Sequence, residues 1–143
     1  YRDYIFYSTK PITLISMEHL QNKHLMIIED DDFLRTLAVT KLEKSGCKVT
    51  TAADGKSGFD KITTDKPDLL ILDLMLPIMS GFEVLTAIRK QYDSKELPVL
   101  VFSNLGEESD MQQCLDLGIS DYMIKANFTL DELVEKVTTL LSK

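Results

Sequence analysis

Short, unbroken apolar runs alternate along this chain with stretches of helical period, and that alternation restricts the fold more than any other feature. Leu25-Met26-Ile27-Ile28, the stretch Asp68-Leu69-Leu70-Ile71-Leu72-Asp73, and Leu97 to Phe102 behind Pro98 are apolar at nearly every position. Strands of this kind must be covered on both faces. Cys47 to Ala52 alternates and is more polar, as an edge strand should be, and Tyr122-Met123-Ile124 is a short fifth strand. Between Phe33 and Lys44 the residues Phe33, Leu34, Leu37, Ala38 and Leu42 recur at helical spacing, and Gly46 sits where a C-terminal glycine belongs. Further helices are predicted over 54–64 with Pro67 past its end, 80–92 with Ser80 as N-cap, 107–117 ended by Gly118, and 129–141. Thr129 followed by Glu132 has the pattern of a capping box. Strands alternating with helices imply parallel strands joined by right-handed crossovers. The expected fold class is therefore α/β, a doubly wound five-stranded parallel sheet with five helices.

At 143 residues the chain fits one domain with a sizeable core. Its 23 acidic residues against 16 Lys and Arg give a net charge of -7, which is ill suited to gripping phosphate backbones, so no nucleic-acid partner is expected. No apolar stretch reaches the ~20 residues of a membrane-spanning helix. Cys47 and Cys114 have no metal-type spacing and lie inside apolar patterns, which predicts reduced, buried thiols in a cytoplasmic protein. Residues 1–16, YRDYIFYSTKPITLIS, show neither helical period nor signal-peptide anatomy. They are expected to be a leader or an added segment, with Met17 as the start of the folded unit.

In doubly wound sheets the chemistry lies beyond the carboxyl ends of the strands. The first strand is followed by Glu29-Asp30-Asp31-Asp32, the third by Asp73, the fourth by Ser103 and the fifth by Lys125. Singly, these are a solvated acidic loop, a cap, a turn hydroxyl and a surface lysine. Together they converge on one rim. Crowded carboxylates repel one another unless a cation is present. An all-oxygen set suits a hard cation such as Mg²⁺. A lysine and a hydroxyl suit a phosphoryl group. The set therefore suits phosphoryl transfer to Asp73, with Lys125 as fixed positive charge.

With these residues in place, the chain resembles a two-component response-regulator receiver domain of the single-domain, chemotaxis-regulator-like kind. The resemblance spans about residues 23–142. It rests on Glu29-Asp30, on the loop Asp73-Leu74-Met75-Leu76-Pro77-Ile78-Met79-Ser80-Gly81 (the pattern Asp-x-x-x-Pro-x-Met-x-Gly), on Ser103 and on Lys125. It implies a flavodoxin-like receiver fold with strand order 2-1-3-4-5, occupying residues 17–143. It implies Asp73 as phosphoacceptor, served by a histidine kinase, a phosphotransfer protein or a small phosphodonor. Asp30 and Asp73 become direct ligands of Mg²⁺ (or Mn²⁺) together with the backbone carbonyl of Met75, and Glu29 acts through a metal-bound water. Ser103 becomes the phosphoryl-binding hydroxyl and Tyr122 the rotameric switch. Asp31 and Asp32 fall outside the metal set and read as the first turn of the first helix. The implied output is a downstream protein docking on the fourth helix, fifth strand and fifth helix, with Met111, Leu115, Tyr122 and Leu133 as apolar contributors. The domain is expected to be a monomer or a phosphorylation-dependent dimer, and a self-phosphorylating and self-dephosphorylating switch rather than a turnover enzyme.

The departures are as informative. Ala126 follows Lys125 where the family usually has Pro, which disfavours a cis bond there. Asn104 replaces a small residue and narrows access or adds a hydrogen bond. Met75 and Leu105 flank the phosphoacceptor, and neither can orient a water or act as a base. Slow autodephosphorylation is expected. The alternatives are a receiver cut from a longer regulator or hybrid kinase, and a degenerate receiver that works without phosphorylation. An aspartyl-nucleophile phosphatase wants a second Asp two residues after the nucleophile, where Met75 stands, and no Gly-rich nucleotide motif is present.

Overall fold

The computed structural model describes residues 20–142, so the predicted leader lies outside the described residues. Five strands, β1 (His24–Ile28), β2 (Lys48–Ala52), β3 (Leu69–Leu72), β4 (Val99–Ser103) and β5 (Asp121–Ile124), form one parallel sheet in the order β2-β1-β3-β4-β5. The intervening helices are α1 (Asp32–Lys44), α2 (Gly55–Thr64), α3 (Gly81–Arg89), α4 (Glu108–Asp116) and α5 (Leu130–Leu141), with a short 3₁₀ turn at Lys125–Asn127 before α5.

Successive residues of each central strand face opposite sides, so the sheet builds two cores. Met26, Ile28, Leu70, Leu72, Val99 and Val101 pack on one side, against Ile62 of α2, Val84, Leu85 and Ile88 of α3, and Cys114 of α4. Leu25, Ile27, Leu69, Ile71, Leu100 and Phe102 pack on the other, against Ala38 and Leu42 of α1 and Leu133 and Val137 of α5. Each fully buried aliphatic side chain contributes roughly 1.5–3 kcal/mol. Two covered faces therefore hold the strand ends in fixed register.

Two helices differ from the sequence reading. Only Ala38 and Leu42 of α1 are buried, with Leu34 partly so, whereas Phe33 and Leu37 are exposed. Leu34, Ala38 and Leu42 are four apart and form one stripe. Phe33 and Leu37 each stand one position earlier, about 100° round the helix. α3 ends at Arg89 rather than near Tyr92, because the Gln91 and Tyr92 amides both turn back onto the Ile88 carbonyl. The Arg89 guanidinium then donates to five backbone carbonyls, those of Tyr92, Asp93, Leu97, Leu117 and Gly118. It ties the end of α3 to the entry of β4 and the end of α4. The predicted caps at Ser80 and Thr129 are both capping boxes, closed by Glu83 and Glu132.

The loop from β3 to α3 is tightly packed. A Cβ on Gly81 would lie 2.2 Å from the Asp73 carbonyl oxygen and 2.6 Å from Leu74 Cα, so no other residue fits there without moving the backbone of Asp73. Ile78 is strained by comparison. Its φ is 72°, and the Met79 amide donates to the Pro77 carbonyl at 2.8 Å, which closes a three-residue γ-turn around it. This conformation is costly for a β-branched residue. Its side chain is 81% exposed, so packing does not compensate. Ile78→Gly is expected to raise unfolding stability by about 1 kcal/mol, read as an increase of a few degrees in Tm.

Candidate functional site

Strand register assembles the site. Ile28 pairs with Leu72, and the ladder continues one step further, with the Glu29 amide donating to the Ala52 carbonyl and the Asp73 amide to the Ile28 carbonyl. Glu29 and Asp73 are therefore neighbours at the ends of β1 and β3, and they are only 4% and 5% exposed. Ser103 pairs with Ile124, which puts Lys125 just beyond it.

The Lys125 ammonium bridges the two carboxylates, 2.5 Å from Glu29 Oε1 and 2.9 Å from Asp73 Oδ2. Each carboxylate uses its second oxygen on the backbone. Glu29 Oε2 accepts from the Asp31 amide at 3.1 Å, and Asp73 Oδ1 accepts from the Met75 amide at 3.2 Å. Asp30 is exposed, and one carboxylate oxygen from each of Glu29, Asp30 and Asp73 lies within 4.8 Å of the others. Three carboxylates against one ammonium leave two formal negative charges (3 − 1 = 2) in an all-oxygen cluster, the donor set and charge that suit a hard divalent cation. Asp31 and Asp32 stand apart, as the sequence indicated. Asp31 is the N-cap of α1, accepting from the Leu34 amide, and Asp32 is its first residue.

Burial pushes the Glu29 carboxyl above its ordinary pKa, and the hydrogen bonds from Lys125 and the Asp31 amide only partly offset this. Burial also disfavours the Lys125 ammonium, but Glu29 and Asp73 outweigh it and hold its pKa above the ordinary lysine value. Lys125 is thus a permanent cation at physiological pH.

The remaining predicted residues sit around this centre. Ser103 is fully buried, and its Oγ accepts a long 3.4 Å bond from the Leu105 amide. The Tyr122 hydroxyl donates to the Leu105 carbonyl at 2.6 Å, and burial pushes its phenol up to about 12. Asn104 is exposed, Leu105 half-buried and Met75 exposed. Ala126 lies in the 3₁₀ turn, and no peptide bond is cis among the described residues. Leu133 is not available to a partner, because it is 1% exposed and packs under α5 against the sheet. Leu115 is exposed, and Met111 and Tyr122 are half-buried. Both cysteines are free and buried, and burial pushes each thiol up to about 11. The sequence reading passed over Arg35, which donates to the Glu29 carbonyl at 2.7 Å; its three-residue spacing from Asp32 was the available signal.

Residues 25–138 match the family model described as the response regulator receiver domain. The chain belongs to that family. The alkaline phosphatase synthesis transcriptional regulatory protein PhoP of Bacillus subtilis is 38% identical over 122 residues, which is 85% of this chain and 50% of that protein. The DNA-binding dual master transcriptional regulator RpaA of Synechocystis is 36% identical over 119 residues, 83% of this chain and 49% of that one. This chain spans about half the length of the curated relatives it matches. Among solved structures, a receiver domain of a Francisella response regulator superposes with a TM-score of 0.76 at 31% identity, covering 85% of this chain and 98% of that one. A Vibrio cholerae chemotaxis protein gives 0.75 at 25% identity, over 82% and 98% of the two chains. The fold is accordingly that of a receiver. Among the described residues, no helix is long and apolar enough to cross a membrane.

Replacing Lys125 strands two buried carboxylates without a counter-ion. Lys125→Met is expected to lower stability at pH 7 by about 3 kcal/mol in metal-free buffer, as measured by urea unfolding. The sign with pH follows from Glu29. Its folded pKa is raised, so the stability from holding its proton is present below the unfolded value and is lost as pH rises through the folded one. Without Lys125 that rise is larger, and the deficit against wild type should shrink as the pH is taken from 7 towards 4.

Proposed function

We propose that this domain is a phosphoacceptor of a two-component phosphorelay, in which Mg²⁺-dependent transfer of a phosphoryl group to Asp73 switches a partner-binding surface. The arrangement that carries the reading is Lys125 held between Glu29 and Asp73, with Asp30 completing an acidic cluster within 4.8 Å. A divalent cation held by Asp30, Asp73 and the Met75 carbonyl, with Glu29 acting through a water, would neutralise charge on the phosphoryl oxygens. An Asp73 carboxylate oxygen attacks phosphorus and forms the acyl phosphate. The bond to the donor, a histidine-kinase or phosphotransfer-protein imidazole or a small acyl phosphate, breaks with its electron pair leaving on the donor. Lys125 supplies fixed positive charge beside the transferred group. Asp73 and Ser103 are buried, so the added charge arrives where water screens it little.

The same geometry supports the switch. The buried Ser103 hydroxyl has one long bond in the described structure, so a phosphoryl oxygen offers it a better partner. Leu105 connects Ser103 to Tyr122 through its amide and its carbonyl respectively. Movement of the β4–α4 loop towards Asp73 therefore breaks or carries with it the Tyr122 bond. The surface of α4, β5 and α5 changes with it, and Leu115, Met111 and Tyr122 are the apolar groups there that a downstream protein can reach. The domain acts in the cytoplasm, as a monomer or a phosphorylation-dependent dimer. The twofold length of the relatives favours a second reading, in which this receiver works as part of a longer regulator whose other part supplies the output. The mass of the native protein separates the two.

Acetyl phosphate with Mg²⁺ is expected to add one phosphoryl group to the wild-type protein, seen by intact mass, and none to Asp73→Asn. A wild-type protein that stays unmodified, and does not respond to beryllofluoride by NMR, would refute the phosphoacceptor reading. Because Met75 and Leu105 offer neither a base nor a water-orienting group, the phosphorylated protein should decay slowly at neutral pH with Mg²⁺. A half-life of seconds would show that water is activated by another route. Met75→Asn with Leu105→Glu should shorten the half-life by roughly an order of magnitude.

A further inference from the structure

We propose that Arg35 is a positioning residue for the acidic loop, fixing the peptide plane from which Asp30 is presented to a divalent cation. This deepens the preceding reading and rests on it. Arg35 lies in the first turns of α1, one turn beyond the loop, and its side chain is 19% exposed. One arm of its guanidinium, Nη1, donates to the Glu29 carbonyl at 2.7 Å, and the other, Nη2, pairs with the Asp32 carboxylate. It borders the same small cavity as Glu29 and Asp73.

The loop needs such a hold. Glu29 is fixed through its amide on β2 and its carboxylate on Lys125 and the Asp31 amide, and Asp31 is fixed as a helix cap. Asp30 lies between them, exposed, and makes no hydrogen bond of its own among the described residues. A peptide unit is planar and includes the Cα of the following residue. A donor on the Glu29 carbonyl therefore fixes the plane that contains the Asp30 amide and Asp30 Cα. Arg35 is the only side chain among the described residues that hydrogen-bonds that carbonyl. Its fork geometry lets one arm be oriented by Asp32 while the other holds the loop, which a lysine cannot reproduce. Groups that orient a metal ligand from behind typically change metal affinity by about 10–100-fold.

Charge and position predict opposite signs. Removing a cationic guanidinium beside a cation site strengthens Mg²⁺ binding if charge alone matters. It weakens binding if Arg35 presets Asp30. The test is an NMR titration of the full chain with Mg²⁺ alone, on wild type, Arg35→Ala and Arg35→Lys. Arg35→Ala is expected to raise the Mg²⁺ Kd about tenfold. At saturating Mg²⁺, labelling by acetyl phosphate should return to within about twofold of wild type, because the reacting groups are intact. Should Arg35→Ala fail to fold, Arg35→Lys, which keeps the charge and loses the fork, is expected to raise Kd at least about threefold. A folded variant with unchanged or tighter Mg²⁺ binding overturns the proposal. Wild type with no saturable response to Mg²⁺ brings down the metal reading itself, and the proposal with it.

Discussion

One ammonium group sits where three strands end. β1 delivers Glu29, β3 delivers Asp73 and β5 delivers Lys125, and the lysine closes on both carboxylates across a gap that β4 spans with Ser103. Burial of these charges is tolerable only because they meet. Two carboxylates at this depth without a cation, or a lysine without its carboxylates, would each destabilise the rim by several kcal/mol. The geometry of the rim is thus coupled to the stability of the fold, and a change of charge at Asp73 is felt directly by Lys125 and Glu29.

The two cores make that coupling precise enough to use. Every residue of β3 and β4 is buried, and alternate side chains serve opposite faces. A strand so held cannot slip by one residue without exchanging its two sides. The positions of Asp73 and Ser103 are therefore set by apolar packing well away from the chemistry. Gly81 does the same for the backbone behind Asp73, since no side chain can be added there without pushing the Asp73 carbonyl.

Much of this was legible in the sequence. Apolar runs such as Leu69 to Leu72 announced buried parallel strands, and the strand ends then named Glu29, Asp30, Asp73, Ser103 and Lys125 together. The structure brings Glu29, Asp30, Asp73 and Lys125 into contact range and puts Ser103 two residues from the loop contact made by Tyr122. Other features were not legible, for physical reasons. A helical period tells which residues recur but not which of two adjacent stripes faces the sheet, so the spacing of Phe33, Leu34, Leu37, Ala38 and Leu42 left open that Phe33 and Leu37 are exposed. The exposure of Leu133 depends on how α5 rolls against Phe102 and Met123, which local sequence does not encode. Contacts of a side chain with carbonyls far along the chain, such as those of Arg89 with Leu117 and Gly118, have no compositional signature at all.

The five carbonyls gathered by Arg89 give α4 unequal ends. At its C-terminus the Leu117 and Gly118 carbonyls are both held by the guanidinium, and Gly118 adopts the left-handed turn that closes the helix. At its N-terminus Glu107 provides no side-chain cap. Opening the first end breaks charge-assisted bonds in a partly buried setting, whereas opening the second breaks none from a cap. The end of α4 that follows the Ser103 loop is thus the end with fewer bonds to lose.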